Sequence, residues 1–387
     1  MAGIYIHIPF CRSRCIYCGF YSTTSLALRQ RYVDAVCCEL RNHRDWPTST
    51  IYLGGGTPSQ LTIAQLRQIF DVLYKYNKVE TDAEVTIEVN PDDVTPDFAS
   101  ALSHLPVNRV SMGAQTFDDD RLRFLHRRHT AAQISSAVTL LRNAGIHNLS
   151  IDLMYGFPGE SLADWDRDIT AALALNVEHL SAYCLMIEEG TPLWRMVSSQ
   201  RDSQGDWHKC AISDGTEVPV PMTVDEELER QMYDRLIDRL TADGYEHYEL
   251  SNFARPGYRS RHNSSYWDGT PYIGIGAAAH SYNLSNRSWN ISDLQSYING
   301  IENGESVSES EPIDEDTRYN DLITVALRTC EGLDLSTLSD RHRDYCKKNA
   351  RRFIDSGLLR LHNNHLILTR AGLFVSDMIM SELIFLP

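Results

Sequence analysis

Six short apolar runs in the first 190 residues alternate with longer stretches whose apolar residues recur at helical spacing. "GIYIHI" (3–8), "TIYLGGG" (50–56), "EVTIEVN" (84–90), "NRVSMGAQ" (108–115), "HNLSIDLMYG" (147–156) and "EHLSAYCLMI" (178–187) read as strands. Helical patterns over 26–43, 63–76, 96–105, 131–144 and 162–175 fill the gaps. This alternation demands right-handed crossovers around a parallel sheet and restricts the chain to the α/β class. A closed barrel of this kind has eight units, so six predict an open, partial (β/α)6 barrel. Each strand runs into a turn rich in Gly, Pro, Asn or polar residues. Such folds bind ligands at the carboxyl ends of their strands, so the six endings are expected to outline one site.

Beyond residue 190 the rhythm stops. "SSQRDSQGDWHKCAISDGTEVPVP" (198–221) reads as an exposed loop. Residues 224–245 read as a helix ended by Gly244, and "YEHYELSNFA" and "YIGIGAAAHSY" as strands. In "GLLRLHNNHLILTRAGLFVSDMI" an Asn-Asn turn joins two short strands before a helix, a winged-helix-like pattern. The expected organisation is a partial barrel over 1–190, an extension over 191–313 and a mostly helical, winged-helix-like domain over 314–387.

A net charge of -16 over 387 residues argues against a general nucleic-acid binder, whose mark is a basic face. The local run "RHRDYCKKNARR" (341–352) reads as a solvated helix face, and the winged-helix-like unit as a packing or protein-contact module. With no stretch of eighteen apolar residues, a membrane span is not expected, and peripheral contact is the nearest approach to a bilayer. "MAGIYIHIPF" lacks the charged and apolar regions of a secretory leader, so a cytoplasmic location is expected.

Nine cysteines, with a single tight cluster, then suggest a metal or redox site rather than a disulfide framework. In "CRSRCIYCGFY" (11–21), Cys11, Cys15 and Cys18 fall in a C-x3-C-x2-C spacing. Thiolates select zinc, copper(I) or iron–sulfur clusters. A structural zinc would need a fourth ligand, which His7 could supply. An iron–sulfur cluster on three cysteines would keep one iron open. Thiols exposed there at a depressed pKa would oxidise readily. The glycines of "YLGGGTPS" offer backbone groups to a small zwitterion or nucleotide at close range.

A C-x3-C-x2-C loop after the first strand, followed by a GGGT turn after the second, resembles the radical S-adenosylmethionine (SAM) superfamily. The resemblance implies a 4Fe–4S cluster on Cys11, Cys15 and Cys18, with SAM chelating the open iron through its amino and carboxylate groups. One electron, from a donor protein, would then cleave the sulfonium to methionine and a deoxyadenosyl radical. "YIHIPFCRSRCIYC", "YLGGGTPS", "IEVNPDD", "RVSMGAQTFDDDRLRFLHRRH", "DLMYGFPGES" and "IEEGTP" together resemble the oxygen-independent coproporphyrinogen III oxidase family over essentially the whole chain.

That family has two branches: the oxidases, which decarboxylate two propionates in heme synthesis, and HemW-type heme chaperones. Phe20 stands where the oxidases carry a fourth cysteine, and the oxidases' N-terminal extension has no counterpart before Cys11. "HNSSYW" (262–267) fits the chaperone pattern H-N-x-x-Y-W, whereas Gly19 replaces the acidic residue usual in chaperones. The balance implies a carrier that binds heme and delivers it to acceptor hemoproteins; the alternative is a coproporphyrinogen III dehydrogenase. No catalytic residue is assigned.

The same resemblance implies a SAM pocket of Tyr5, Tyr17, Gly55, Gly56, Thr57, Glu88, Gln115, Arg127 and Asp152. Gly55, Gly56 and Thr57 would hold the amino end, Glu88 the ammonium, Arg127 a carboxylate or ribose and Asp152 ribose hydroxyls. The chaperones usually have Gly where His126 stands. His262 has two readings: an axial ligand to heme iron, with Tyr266 and Trp267 against the porphyrin, or a residue that ties down a loop while the aromatics fill a core.

Overall fold

The computed structural model describes residues 2–198, 209–211, 217–219 and 225–386. Six parallel strands form in the expected places: β1 (Gly3–Ile8), β2 (Pro47–Gly55), β3 (Lys78–Val89), β4 (Arg109–Gln115), β5 (Asn148–Tyr155) and β6 (His179–Cys184). Helices α1 (Arg29–Asn42), α2 (Ile63–Tyr76), α3 (Pro96–Leu102), α4 (Asp119–Phe124), α5 (Ala131–Asn143) and α6 (Leu162–Ala174) connect them. Local chemistry sets their starts. Capping boxes Thr62/Gln65 and Ser161/Asp164 open α2 and α6, and the Asp118 carboxylate takes the free N–H groups of α4.

The sheet stays open, as expected for a partial barrel. It has twelve strands, because later segments extend both edges. Tyr272–Ile275 pairs parallel with β1 and makes a seventh parallel strand. Asn252–Ala254 pairs antiparallel with β6 on the far edge. Within the stretch read as an exposed loop, Ser198 ends the helix Pro192–Ser198, Lys209–Ala211 and Glu217–Pro219 pair antiparallel, and the rest of it lies outside the described residues.

Side-chain alternation gives the sheet two unlike faces. Ile4, Ile6, Ile51, Leu53, Val85, Ile87, Val110, Met112, Ile151 and Leu180 are buried in one core with Trp165, Tyr32 and Leu66 from the helices. The residues between them are mostly polar: Thr50 and Tyr52 on β2, Glu84, Thr86 and Glu88 on β3, Arg109 and Ser111 on β4, Ser150 and Asp152 on β5, His179 and Ser181 on β6. Register stacks this second set into layers across the strands, Tyr52 beside Thr86, and Glu88 beside Ser111 and Ser150. The concave interior of the barrel is therefore polar.

The helix Arg261–Trp267, which carries HNSSYW, closes the barrel floor at the amino ends of the strands. Glu84 accepts its first two N–H groups, from Arg261 at 3.0 Å and His262 at 2.9 Å. A separate core of Tyr319, Ile323, Leu335, Phe353, Leu366 and Ile379 holds the C-terminal region. There Leu359–His362 and His365–Leu368 form a hairpin whose Asn363 and Asn364 have φ of 46° and 65°, the left-handed pair that a two-residue turn requires.

Candidate functional site

At the opposite end from HNSSYW, the loop of Cys11, Cys15 and Cys18 lies over the carboxyl ends of the strands. Backbone bonds hold it: Cys11 N–H to the Thr23 carbonyl (2.9 Å), Ile16 N–H to Leu125 (3.3 Å) and Leu193 N–H to Ile16 (2.9 Å). Ile16 packs with Leu125, Met154, Phe157, Leu185 and Leu193 in a satellite core of its own. The glycine turn lies beneath. Gly56 donates to the Ile8 carbonyl at 2.8 Å, and a Cβ there would sit 2.7 Å from the Pro9 carbonyl carbon. Only glycine lets β2 run this close under the cysteine loop.

All three cysteines line a cavity of about 420 Å³. Tyr17, Gly55, Gly56, Thr57, Glu88, Gln115, Arg127 and Asp152 line it too. Tyr5 does not; it stands one layer back, its ring 6.1 Å from that of Tyr52. Five of the six strand endings contribute. The turn after β5 instead closes on itself, with the Glu160 carboxylate taking the Gly156 and Phe157 N–H groups at 2.7 and 3.0 Å, and β5 contributes Asp152 and Met154.

Thr57 Oγ1 lies 3.6 Å from Cys11 Sγ and accepts from Asn90 Nδ2 at 3.3 Å. Arg127 donates to Cys15 Sγ at 3.5 Å, to Asn90 Oδ1 at 2.8 Å and to the Gly113 carbonyl. Gln115 ends β4 with φ of 69°, a left-handed conformation at a register shift. At Cys11 and Cys18 the expected depression of thiol pKa is not found: burial pushes both thiols up.

Glu88 accepts from Tyr52 Oη at 2.8 Å and Gly55 N at 3.1 Å. Burial nevertheless raises its pKa from 4.5 to about 7, and burial also raises that of Asp152. Two buried acids facing one cavity suit a cationic ligand. Deeper, Arg109 is 1% exposed and lines the same cavity, its Nε and Nη1 without a hydrogen-bond partner among the described residues. Arg127 Nε and Asp92 Oδ1 are likewise unpaired. Buried orphans of this kind call for a polar occupant. Tyr52, Arg109, Ser111 and Ser181 were not among the residues expected from the sequence. Their signal was the strand alternation, which places them on the face opposite the isoleucines and valines.

This donor set fits a cluster and SAM better than zinc. His7, the fourth zinc ligand considered, is committed elsewhere: its Nδ1 meets Tyr5 Oη at 3.1 Å and its Nε2 the Tyr21 carbonyl at 3.0 Å. Among the described residues, no three His, Cys, Asp or Glu side chains converge on a single ion position. Three thiols around one cavity without a common centre suit a cluster, in which each thiolate meets a different iron.

His262 lies at the floor and has no exposed surface. Its Nδ1 is 2.8 Å from Thr50 Oγ1, its Nε2 2.9 Å from Tyr266 Oη, and its ring stacks on Tyr52 at 5.1 Å. Burial lowers its pKa to about 3, so the ring is neutral. Both nitrogens are engaged, and an iron bond would require one of these contacts to break.

The profile of the radical SAM superfamily matches residues 5–172, and that of the HemN C-terminal domain matches 313–375. The heme chaperone HemW of Mycobacterium tuberculosis is 32% identical over 99% of this chain and 94% of its own length. That of Bacillus subtilis is 32% identical over 88% and 87%. That of Escherichia coli is 33% identical over 72% and 69%. In fold, the chain is similar to the E. coli coproporphyrinogen III oxidase HemN, a radical SAM enzyme, with a TM-score of 0.81 at 22% identity over 99% of this chain and 90% of that one. Among the described residues, no helix is long and apolar enough to cross a membrane.

Proposed function

The chain belongs to the HemW heme-chaperone family of the radical SAM superfamily, and from that premise we propose that it binds heme and delivers it to acceptor hemoproteins. In this reading Cys11, Cys15 and Cys18 hold a 4Fe–4S cluster and the adjoining cavity holds SAM. The supporting observation is the meeting of three thiols, two buried acids and the glycine turn around one cavity at the carboxyl ends of the strands. When bound, the cluster and SAM supply one-electron chemistry that no side chain can.

The residues divide the work. Glu88 takes the amino end of SAM, with Gly55, Gly56 and Thr57 shaping the same end. Asp152 takes ribose hydroxyls, Gln115 and Arg127 bound the rest, and Tyr17 covers the ligand. Tyr5 acts through Tyr52. His262 clasps the floor helix to β2; as an axial ligand it would first give up a hydrogen bond. The electron for such a cluster would come from a donor protein. A reducing cytoplasm is the compartment where these thiols and such a cluster persist.

The test is anaerobic. Cluster-loaded protein is given dithionite, SAM and coproporphyrinogen III, and 5′-deoxyadenosine and protoporphyrinogen are followed together by mass spectrometry. In parallel, hemin-loaded protein is mixed with an apo-hemoprotein. Heme transfer without porphyrin product is expected. Protoporphyrinogen formed over many turnovers would overturn the chaperone reading in favour of the dehydrogenase.

A further inference from the structure

The rim of the cysteine cavity is apolar and exposed. Phe20, in the cysteine loop, is 72% exposed, Met186 68% and Tyr183 43%, and all three line the cavity. Among the described residues, only Leu386, near the C-terminal end, exceeds Phe20 and Met186 as an exposed large apolar side chain. Neither side chain serves a core, and the polar ligand assigned to the cavity has no use for them. Large apolar side chains gathered at the mouth of a cavity mark a surface that is covered in function.

Charge narrows what covers it. Arg12 and Arg14 lie in the same loop, both exposed, and Arg14 lines the cavity. Among the described residues neither forms an ion pair, in a chain of net charge -16. The occupant is therefore flat or broad, apolar across its face and anionic at an edge. Met186 and the exposed His126 bring a thioether and an imidazole to the same rim, both of them ligand types that heme iron accepts.

Space points the same way. The cavity, about 420 Å³, lies toward the small end of the roughly 300–1,000 Å³ range of ligand sites, and a nucleoside-sized cofactor beside a cluster takes it. A tetrapyrrole must then lie outside. The floor does not offer a place: His262 has no exposed surface and both its nitrogens are bonded.

We propose that heme docks across the mouth of the cysteine cavity, its apolar face on Phe20, Met186 and Tyr183 and its propionates at Arg12 and Arg14. This rests on the heme-carriage reading and deepens it by giving the cargo a site. A macrocycle so placed covers the opening through which SAM enters, so bound heme holds SAM in.

The experiment is a titration of hemin into the full chain, followed by the Soret difference spectrum. It compares wild type, Phe20→Ser/Met186→Ser and Arg12→Ser/Arg14→Ser, with thermal midpoints confirming the fold. Loss of two apolar contacts is expected to weaken hemin binding about tenfold or more. The arginine variant is expected to lose the wild type's preference for hemin over its dimethyl ester, which carries no propionate charge. Unchanged hemin affinity in Phe20→Ser/Met186→Ser overturns the proposal, as does affinity lost in His262→Phe but kept in the rim variants. If the rim variants instead slow cluster reduction by an acidic flavoprotein and leave hemin affinity intact, the rim belongs to the electron donor and the proposal again falls. A wild type that binds no hemin would refute the carriage reading itself, an outcome distinct from all of these.

Discussion

SAM binding should titrate with Glu88. Its carboxyl, 2.8 Å from Tyr52 Oη and 3.1 Å from Gly55 N, has a pKa of about 7 instead of 4.5, with burial the leading cause. That displacement corresponds to at most about 3 kcal/mol in favour of the neutral acid. An ammonium ligand pairs with the ionised form, so affinity follows the ionised fraction. This fraction rises about eightfold between pH 6.0 and 7.5, a window that ends below the ligand's own amino group at about 7.7–8.0. In Glu88→Gln that dependence should vanish, and affinity at pH 7.5 should fall by about 1.5–3 kcal/mol, the worth of a hydrogen bond to a charged group. Stability moves the opposite way. A carboxyl raised in the folded state contributes stability that is full below 4.5 and lost as pH climbs through 7. Ligand-free Glu88→Gln should therefore match or exceed wild type above pH 7. Calorimetric titration of cluster-free protein, in which no iron competes for the amino group, at four pH values reads the affinity, and urea unfolding the stability. A flat wild-type profile, or the same slope in Glu88→Gln, would refute the assignment.

Two further substitutions test the frame around the site. Gly56→Ala puts a Cβ 2.7 Å from the Pro9 carbonyl carbon, so the cysteine loop must shift; iron content after anaerobic reconstitution should drop, with a stability loss of about 1–3 kcal/mol in urea unfolding. His262→Phe keeps the stacked ring but strands Thr50 and Tyr266, costing about 1–3 kcal/mol at pH 7.5. His262 has a folded pKa near 3 against an ordinary 6.5, so wild type loses stability as pH falls below 6.5, by about 1.4 kcal/mol per pH unit from this residue. The variant lacks that loss, and the gap between the two should close near pH 5. A constant gap would mean that the ring titrates in the folded protein as it does in the unfolded chain, and a widening gap that it is already charged.

The strand–helix rhythm was legible because each helical crossover carries its own stop and start signals, such as Thr62 with Gln65 and Ser161 with Asp164. The open sheet followed from counting units. The segment holding Tyr272–Ile275 was read as a strand, but its place as a seventh parallel strand was not, because its pairing with β1 spans more than 260 residues and leaves no local mark. The thiols, the glycine turn and Glu88 could be named from their spacing, and the structure brings them to one cavity. Arg109 was passed over for a physical reason. An arginine in a strand ordinarily points to water, and its burial depends on four neighbouring strands curling their polar faces inward. The pKa of the Cys11 and Cys18 thiols was misjudged for a related reason. A loop near the chain start reads as open, whereas Ile16 and its satellite core half-bury it.

Tyr52 joins the two ends of the barrel. Its hydroxyl holds Glu88 under the glycine turn, and its ring lies on His262, whose nitrogens clasp Thr50 and Tyr266. Glu84, two layers below Glu88 on the same face of β3, caps the helix that carries His262. The HNSSYW segment is therefore the floor of the cavity, and Asn263 lines it. A motif in this position is constrained by the pocket above it whether or not it ever touches heme. It follows that reduced SAM binding in a His262 variant says nothing about iron ligation, since one aromatic ring separates His262 from the carboxylate assigned to SAM. Only a measurement on the iron itself, its ligand-field spectrum with and without the imidazole, separates a ligand from a floor bolt. The buried, doubly bonded ring places the burden on the ligand reading.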